Sequence, residues 1–184
     1  MSSSSSASTY KYTIDAVNCM RRDEFVTAVG FAWEHSPWIA EKAWDRRPFY
    51  NVQSLIETMF DVVLHATDEQ QRQLLSSHPD LVARFSSLTE ASKAEQRSAG
   101  LLELSPEEVE YFRSNNHYYR EKFGIPFIIC VRENKKQAIM DGFRVRRENT
   151  VEQETSTALG EVKKIALHRL SDIIDPAPSS SSKL

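Results

Sequence analysis

Residues 52–66 read VQSLIETMFDVVLHA, and their spacing decides the class of fold. Val52, Leu55, Ile56, Met59, Phe60 and Val63 recur at intervals of three and four. That repeat lines one face of an α-helix with apolar side chains and leaves the other face polar. Helical signals continue on both sides. Upstream, Thr13 to Gly30 carries Ile14, Val17, Phe25, Val26 and Val29, and Ser36-Pro37 pairs an N-cap with proline at the first helical position, opening Trp38 to Trp44. Downstream, Asp68 is placed to cap a helix through Leu74 and Leu75 that stops near His78-Pro79. Ser92-Lys93-Ala94-Glu95 and Ser105-Pro106-Glu107-Glu108 are capping-box patterns, the second opening a helix to Phe123 with Gly124 as its stop. Asn134 starts a helix toward Arg147. Thr150 opens a long one to Ile174, with Ala158, Leu159, Val162, Ile165, Ala166 and Leu170 on its apolar stripe.

One stretch departs from this pattern. Phe127-Ile128-Ile129-Cys130-Val131 is apolar and β-branched and lies between Pro126 and a polar turn. Its composition predicts a short, extended, buried segment. No second strand is present to pair with it, so its backbone N–H and C=O groups need other partners, either a ligand or the helices and water around it. The expected fold is all-α: a single-domain multi-helix bundle with one short extended segment near residues 127–131.

Composition narrows the function. The 184 residues are 40% hydrophobic, enough for one core and one domain. A formal charge of −3 provides no electrostatic footprint for nucleic acid, and the run Arg144, Arg146, Arg147 reads as a solvated helix face. The longest apolar runs, such as Ile125 to Val131, are too short to span a bilayer, so no membrane is expected as a partner. Cys19 and Cys130 form no CxxC pattern and read as two free thiols in a reducing compartment. The five histidines lack metal-ligand spacing, and no Gly-rich phosphate loop, GxSxG or HExxH occurs. No metal site is expected from this spacing.

The ends differ from the body. Residues 1–9 and 176–184 are rich in serine, alanine and proline and read as mobile tails around a domain at 10–175. The chain ends in Ser182-Lys183-Leu184, the address read by the peroxisomal import receptor, so a peroxisomal location is expected.

Three side chains stand out against the helical pattern. His78, at a helix end before Pro79, reads either as a dipole-compensating cap or, lining a cleft, as a group that exchanges a proton near neutral pH. Glu95 is either the reciprocal member of the Ser92 capping box or a carboxylate held at a helix N-terminus near a polar ligand. Arg169 falls on the apolar stripe, four residues after Ile165 and three after Ala166. It either snorkels past Leu170 to the surface or points its forked donors into a polar cavity.

Five motifs occur in order: Trp38-Ile39-Ala40-Glu41-Lys42-Ala43, His78-Pro79-Asp80-Leu81, Ser92-x-x-Glu95-Gln96 with Ala99-Gly100-Leu101, Phe123-Gly124-Ile125-Pro126-Phe127-Ile128, and Ile165-x-x-x-Arg169-Leu170. In this the chain resembles the 2-oxo-4-hydroxy-4-carboxy-5-ureidoimidazoline (OHCU) decarboxylases over residues 10–175. The resemblance implies an all-helical homodimer that works without metal or cofactor and makes (S)-allantoin in urate degradation. It assigns catalysis to His78, Glu95 and Arg169. It assigns substrate contacts to Pro79, to Ser92, Lys93, Ala94, Glu95 and Gln96, and to Phe127, Ile128, Ile129, Cys130 and Val131.

Two departures are visible. Val82 stands where alanine is common, and Arg146-Arg147-Glu148-Asn149 stands where the family has Arg-Leu-x-Asn. The second, remote in sequence from the expected chemistry, puts only local packing in question. Two other readings remain: a helical scaffold that uses Trp33, Trp38 and Trp44 as an interface, and a hydrolase acting on ureides.

Overall fold

A computed structural model of the chain describes residues 10–82, 97, 101 and 104–179. Its elements are helical: α1 (Ile14–Cys19), α2 (Arg22–Val29), a 3-10 turn (Gly30–Ala32), α3 (Trp38–Trp44), α4 (Val52–Leu64), α5 (Asp68–Ser76), α6 (Pro106–Phe123), α7 (Lys136–Arg146) and α8 (Val151–Ser171). Among the described residues there is no strand, and no helix is long and apolar enough to cross a membrane. The Ser92 capping box lies outside the described residues.

The chain packs into two compact units. The first takes described residues 10–32, 36–65 and 166–179, and so holds α1 to α4 and the end of α8. In α4 the core side chains are Leu55, Ile56, Met59, Val62 and Val63, each contributing about 1.5–3 kcal/mol by burial. Phe60, counted on the apolar stripe by spacing, is only half-buried, and Val62 takes the core position. The apolar run from Thr13 to Gly30 is two helices rather than one. Met20 turns extended (φ −62°, ψ 143°), and the Arg21 N–H donates to Glu24 Oε2 at 2.9 Å to start the second. The Met20 carbonyl exposed by this break accepts from Trp44 Nε1 at 3.1 Å and Arg47 Nη1 at 3.1 Å.

The end of the chain returns to this unit. Tyr12 and Ile174 form a parallel bridge, the Asp175 N–H donates to Tyr12 O at 2.9 Å, and the Ser179 N–H donates to Tyr50 O at 2.7 Å. Ser179 is buried and its hydroxyl also bonds the Asp15 carboxylate. Ser179, within the stretch 176–184 read from composition as mobile tail, is thus held by one backbone and one side-chain hydrogen bond that composition does not reveal.

The second unit takes residues 33–35 and the described part of 66–165. Here α5 is capped by Thr67, whose hydroxyl accepts the Gln70 N–H at 3.2 Å, while Asp68 sits in the first turn. Ser105 and Glu108 form the expected capping box of α6, and Gly124 closes that helix at φ 69°, a left-handed conformation suited to glycine. The centre is aromatic: Phe127 stacks on Phe143 at 3.9 Å, and Tyr119 meets Phe127 edge-on at 5.0 Å. Gly142 permits this approach, because a Cβ there would lie 3.2 Å from Phe127 Cζ.

Candidate active site

His78 follows the C-terminal end of α5, where helix carbonyls favour positive charge. It is 6% exposed, so it is not a solvated cap. Its Nδ1 lies 3.0 Å from the Leu74 carbonyl, which can only accept, so Nδ1 carries the hydrogen. In the neutral ring Nε2, shielded from solvent, then carries the lone pair. The turn beyond it is pinned to α6 at two points. Arg120 Nε reaches both Asp80 carboxylate oxygens at 2.9 and 3.1 Å, and Asn116 Nδ2 donates to Leu81 O at 2.8 Å. Ser77 Oγ lies 2.8 Å from Glu34 O and 2.7 Å from Leu74 O. Val82 closes the turn at φ 62°, a strained value for a β-branched residue that costs about 1–3 kcal/mol.

The Phe127–Val131 segment is buried throughout and belongs to the same unit as His78. It carries no ladder, and helix side chains supply part of its bonding. Arg146 Nη1 donates to Ile128 O at 2.7 Å, and Glu161 Oε2 accepts the Cys130 N–H at 2.7 Å. Asn134 Nδ2, expected as a helix start, instead donates to Cys130 O at 2.9 Å, and α7 begins at Lys136. Between these points the N–H and C=O of Ile129 have no hydrogen-bond partner among the described residues. Burial, and then the Glu133 carboxylate, push the Cys130 thiol up to about 11.

Arg146 is also bonded to Glu154, which is fully buried, and Asn149 Nδ2 donates to Glu154 Oε2 at 2.8 Å. The guanidinium lies 4.5 Å from the Phe127 ring centre. The hydroxyl of buried Tyr119 is pushed well above the usual phenol range, first by burial and then by the Glu154 carboxylate. The Arg146–Asn149 stretch is therefore not remote from the expected substrate segment. The Arg147 that replaces leucine stacks outward on Tyr118 at 4.4 Å, so the departure is absorbed at the surface.

Arg169 lies on α8 in the first unit and is 4% exposed, so it does not snorkel to solvent. Its Nη1 reaches Ala32 O at 3.5 Å, the outer limit of a hydrogen bond. Ser92, Lys93, Ala94, Glu95 and Gln96 lie outside the described residues. Sequence reasoning missed Arg146, Glu154 and Glu161. The last two lie four residues before Ala158 and Ile165, so they carry the same signal as Arg169, a charge on an apolar stripe.

The sequence pattern of OHCU decarboxylases matches residues 18–171. The chain belongs to the OHCU decarboxylase family. A relative of that name from Haloferax volcanii is 42% identical over 163 residues, covering 89% of this chain and 96% of its own. Another, from Halalkalicoccus jeotgali, is 37% identical over 166 residues, covering 90% and 94%. Among vertebrates, the Amia calva OHCU decarboxylase is 36% identical over 171 residues, covering 91% and 97%. The crystal structure of (S)-allantoin synthase superposes with a TM-score of 0.70 at 29% identity over 88% of this chain, which spans 54% of that one. A crystal structure of OHCU decarboxylase in the presence of (S)-allantoin shares the fold, with a TM-score of 0.62 at 23% identity.

Proposed function

We propose that this protein decarboxylates OHCU to (S)-allantoin in urate degradation. The observation that carries the reading is family membership across nearly the whole chain, joined to a buried His78 whose Nδ1 is tied to Leu74 O. The substrate supplies its own electron sink, a ring C=N beside the carbon that bears carboxylate and hydroxyl. Loss of CO2 sends the electron pair toward that imine, and protonation of the neighbouring carbon on one face fixes the (S) configuration. His78 Nε2, a base when neutral and an acid once protonated, is suited to move the proton between hydroxyl and carbon. Positioned acid–base catalysis of this kind contributes about 10²–10⁴-fold.

In this reading Glu95 holds and polarises the substrate and tunes His78, and Arg169 stabilises anionic charge or orients the other two. Pro79, residues 92–96 and the backbone of Phe127–Val131 hold the ring, with the Ile129 peptide available to a ring amide. A second copy of the chain is the protein partner. Ser182-Lys183-Leu184 directs the protein to the peroxisome through a tail-reading receptor.

The scaffold reading loses support because two of its three tryptophans, Trp33 and Trp44, are engaged within the chain. Trp33 is 1% exposed, and Trp44 is bonded to Met20 and stacked by Arg47 at 3.9 Å. The test adds purified protein to freshly oxidised urate and follows circular dichroism together with gas and ammonia release. Faster development of the (S)-allantoin signal with CO2 release is expected. Ammonia release without CO2 would establish a ureide hydrolase instead.

A further inference from the structure

We infer that Arg146 and Glu161 are positioning residues that set the register of the substrate-binding backbone at Ile129; this rests on the proposed decarboxylase reading. The two side chains come from α7 and α8 and grip the segment one residue either side of Ile129. Arg146 Nη1 holds the Ile128 carbonyl at 2.7 Å, and Glu161 Oε2 holds the Cys130 N–H at 2.7 Å. Each grip is itself braced. Arg146 is locked by Glu154, which Asn149 also holds, and its guanidinium lies over Phe127. Glu161 Oε1 accepts from Lys164 Nζ at 2.6 Å, and this bond raises the lysine pKa.

Backbone groups two residues apart are thus turned toward the helices, while the Ile129 N–H and C=O between them stay unbonded among the described residues. An N–H and a C=O on one peptide-bearing residue complement a cyclic amide or urea, which offers one acceptor and one donor side by side. A strand partner would have consumed those groups. Clamping by side chains keeps the segment in place and leaves that pair for the ligand. A rigid binding edge costs the substrate less ordering on arrival.

Glu161 gives the cleanest test because it lies near the surface, with a side chain 12% exposed. Steady-state allantoin formation and melting temperature are measured for the full chain and for Glu161→Ala, Glu161→Gln and Arg146→Lys. Glu161→Ala is expected to raise KM about tenfold, the size of one lost hydrogen bond, with kcat within about twofold. Glu161→Gln, which keeps an acceptor for Cys130, is expected to restore KM, and Arg146→Lys to raise it.

A variant-free arm measures amide exchange in the wild-type protein with and without (S)-allantoin. Exchange at Ile129 should slow on binding, while Cys130 is already protected by Glu161. An unchanged KM in Glu161→Ala despite a lower melting temperature, or no protection at Ile129, overturns the clamp while leaving the reaction standing. A wild-type chain that forms no allantoin overturns the reaction and the clamp with it.

Discussion

His78 Nδ1 faces the carbonyl of Leu74, four residues earlier, at 3.0 Å, and this contact fixes which ring nitrogen can do chemistry. Moving the hydrogen to Nε2 would set the Nδ1 lone pair against the carbonyl oxygen, and flipping the ring would replace the N–H with a carbon. His78→Asn keeps an N–H for Leu74 but has no titrating group. Stereospecific allantoin formation should fall by about 10²–10⁴-fold with little change in melting temperature. The initial rate of circular dichroism development measures it, and wild-type turnover in that variant would remove His78 from the chemistry.

Arg169 calls for a different substitution because it is buried. Truncation would disturb packing, whereas Arg169→Lys keeps the charge and removes the planar fork. If the fork stabilises anionic substrate, kcat/KM should drop about 10–100-fold, the range for hydrogen bonds to charged groups, with the fold retained. Guanidinium chloride melts run beside the kinetics separate the outcomes. A loss of stability with unchanged kinetics would mark Arg169 as a packing residue.

Much of the fold is legible because helix faces are written locally. The 52–66 periodicity, the Ser105 capping box and the Gly124 stop each depend on residues within one or two turns. What spacing misses depends on distant partners. The break at Met20 is compensated by Trp44 and Arg47, more than twenty residues away, and the docking of 175–179 uses Tyr12, Asp15 and Tyr50. The site shows the same division. His78 and Arg169 are visible as residues out of keeping with their surroundings. The role of Arg146 requires the meeting of α7 with a segment eighteen residues earlier, which no local pattern encodes.

Two glycines in helices should respond oppositely to alanine. At Gly142 the new methyl would meet Phe127 Cζ at 3.2 Å, and Phe127 is stacked on Phe143 and edged by Tyr119, with no room to retreat. At Gly160 nothing lies within 4 Å. Gly160→Ala should therefore gain about 0.5–1 kcal/mol from helix propensity. Gly142→Ala should lose about 1–2 kcal/mol net, because overpacking exceeds that gain. Urea unfolding of both variants checks the signs, and a stabilised Gly142→Ala would mean that Phe127 is freer to move than its contacts imply.

The two thiols should separate in the same way. Cys19 is exposed, whereas Cys130 is 1% exposed and its thiol is pushed up to about 11 by burial and by Glu133. The thiolate is the reacting species, so at pH 8 only about one Cys130 in a thousand is ionised, and access is blocked besides. A disulfide reagent at pH 8 should take one equivalent rapidly from the native chain and the second only after denaturation. Cys19→Ser should abolish the fast phase and leave the slow one. If the fast phase persists in that variant, the Phe127–Val131 segment opens to solvent on the timescale of the reaction, and the grip of Arg146 and Glu161 is looser than their 2.7 Å contacts indicate.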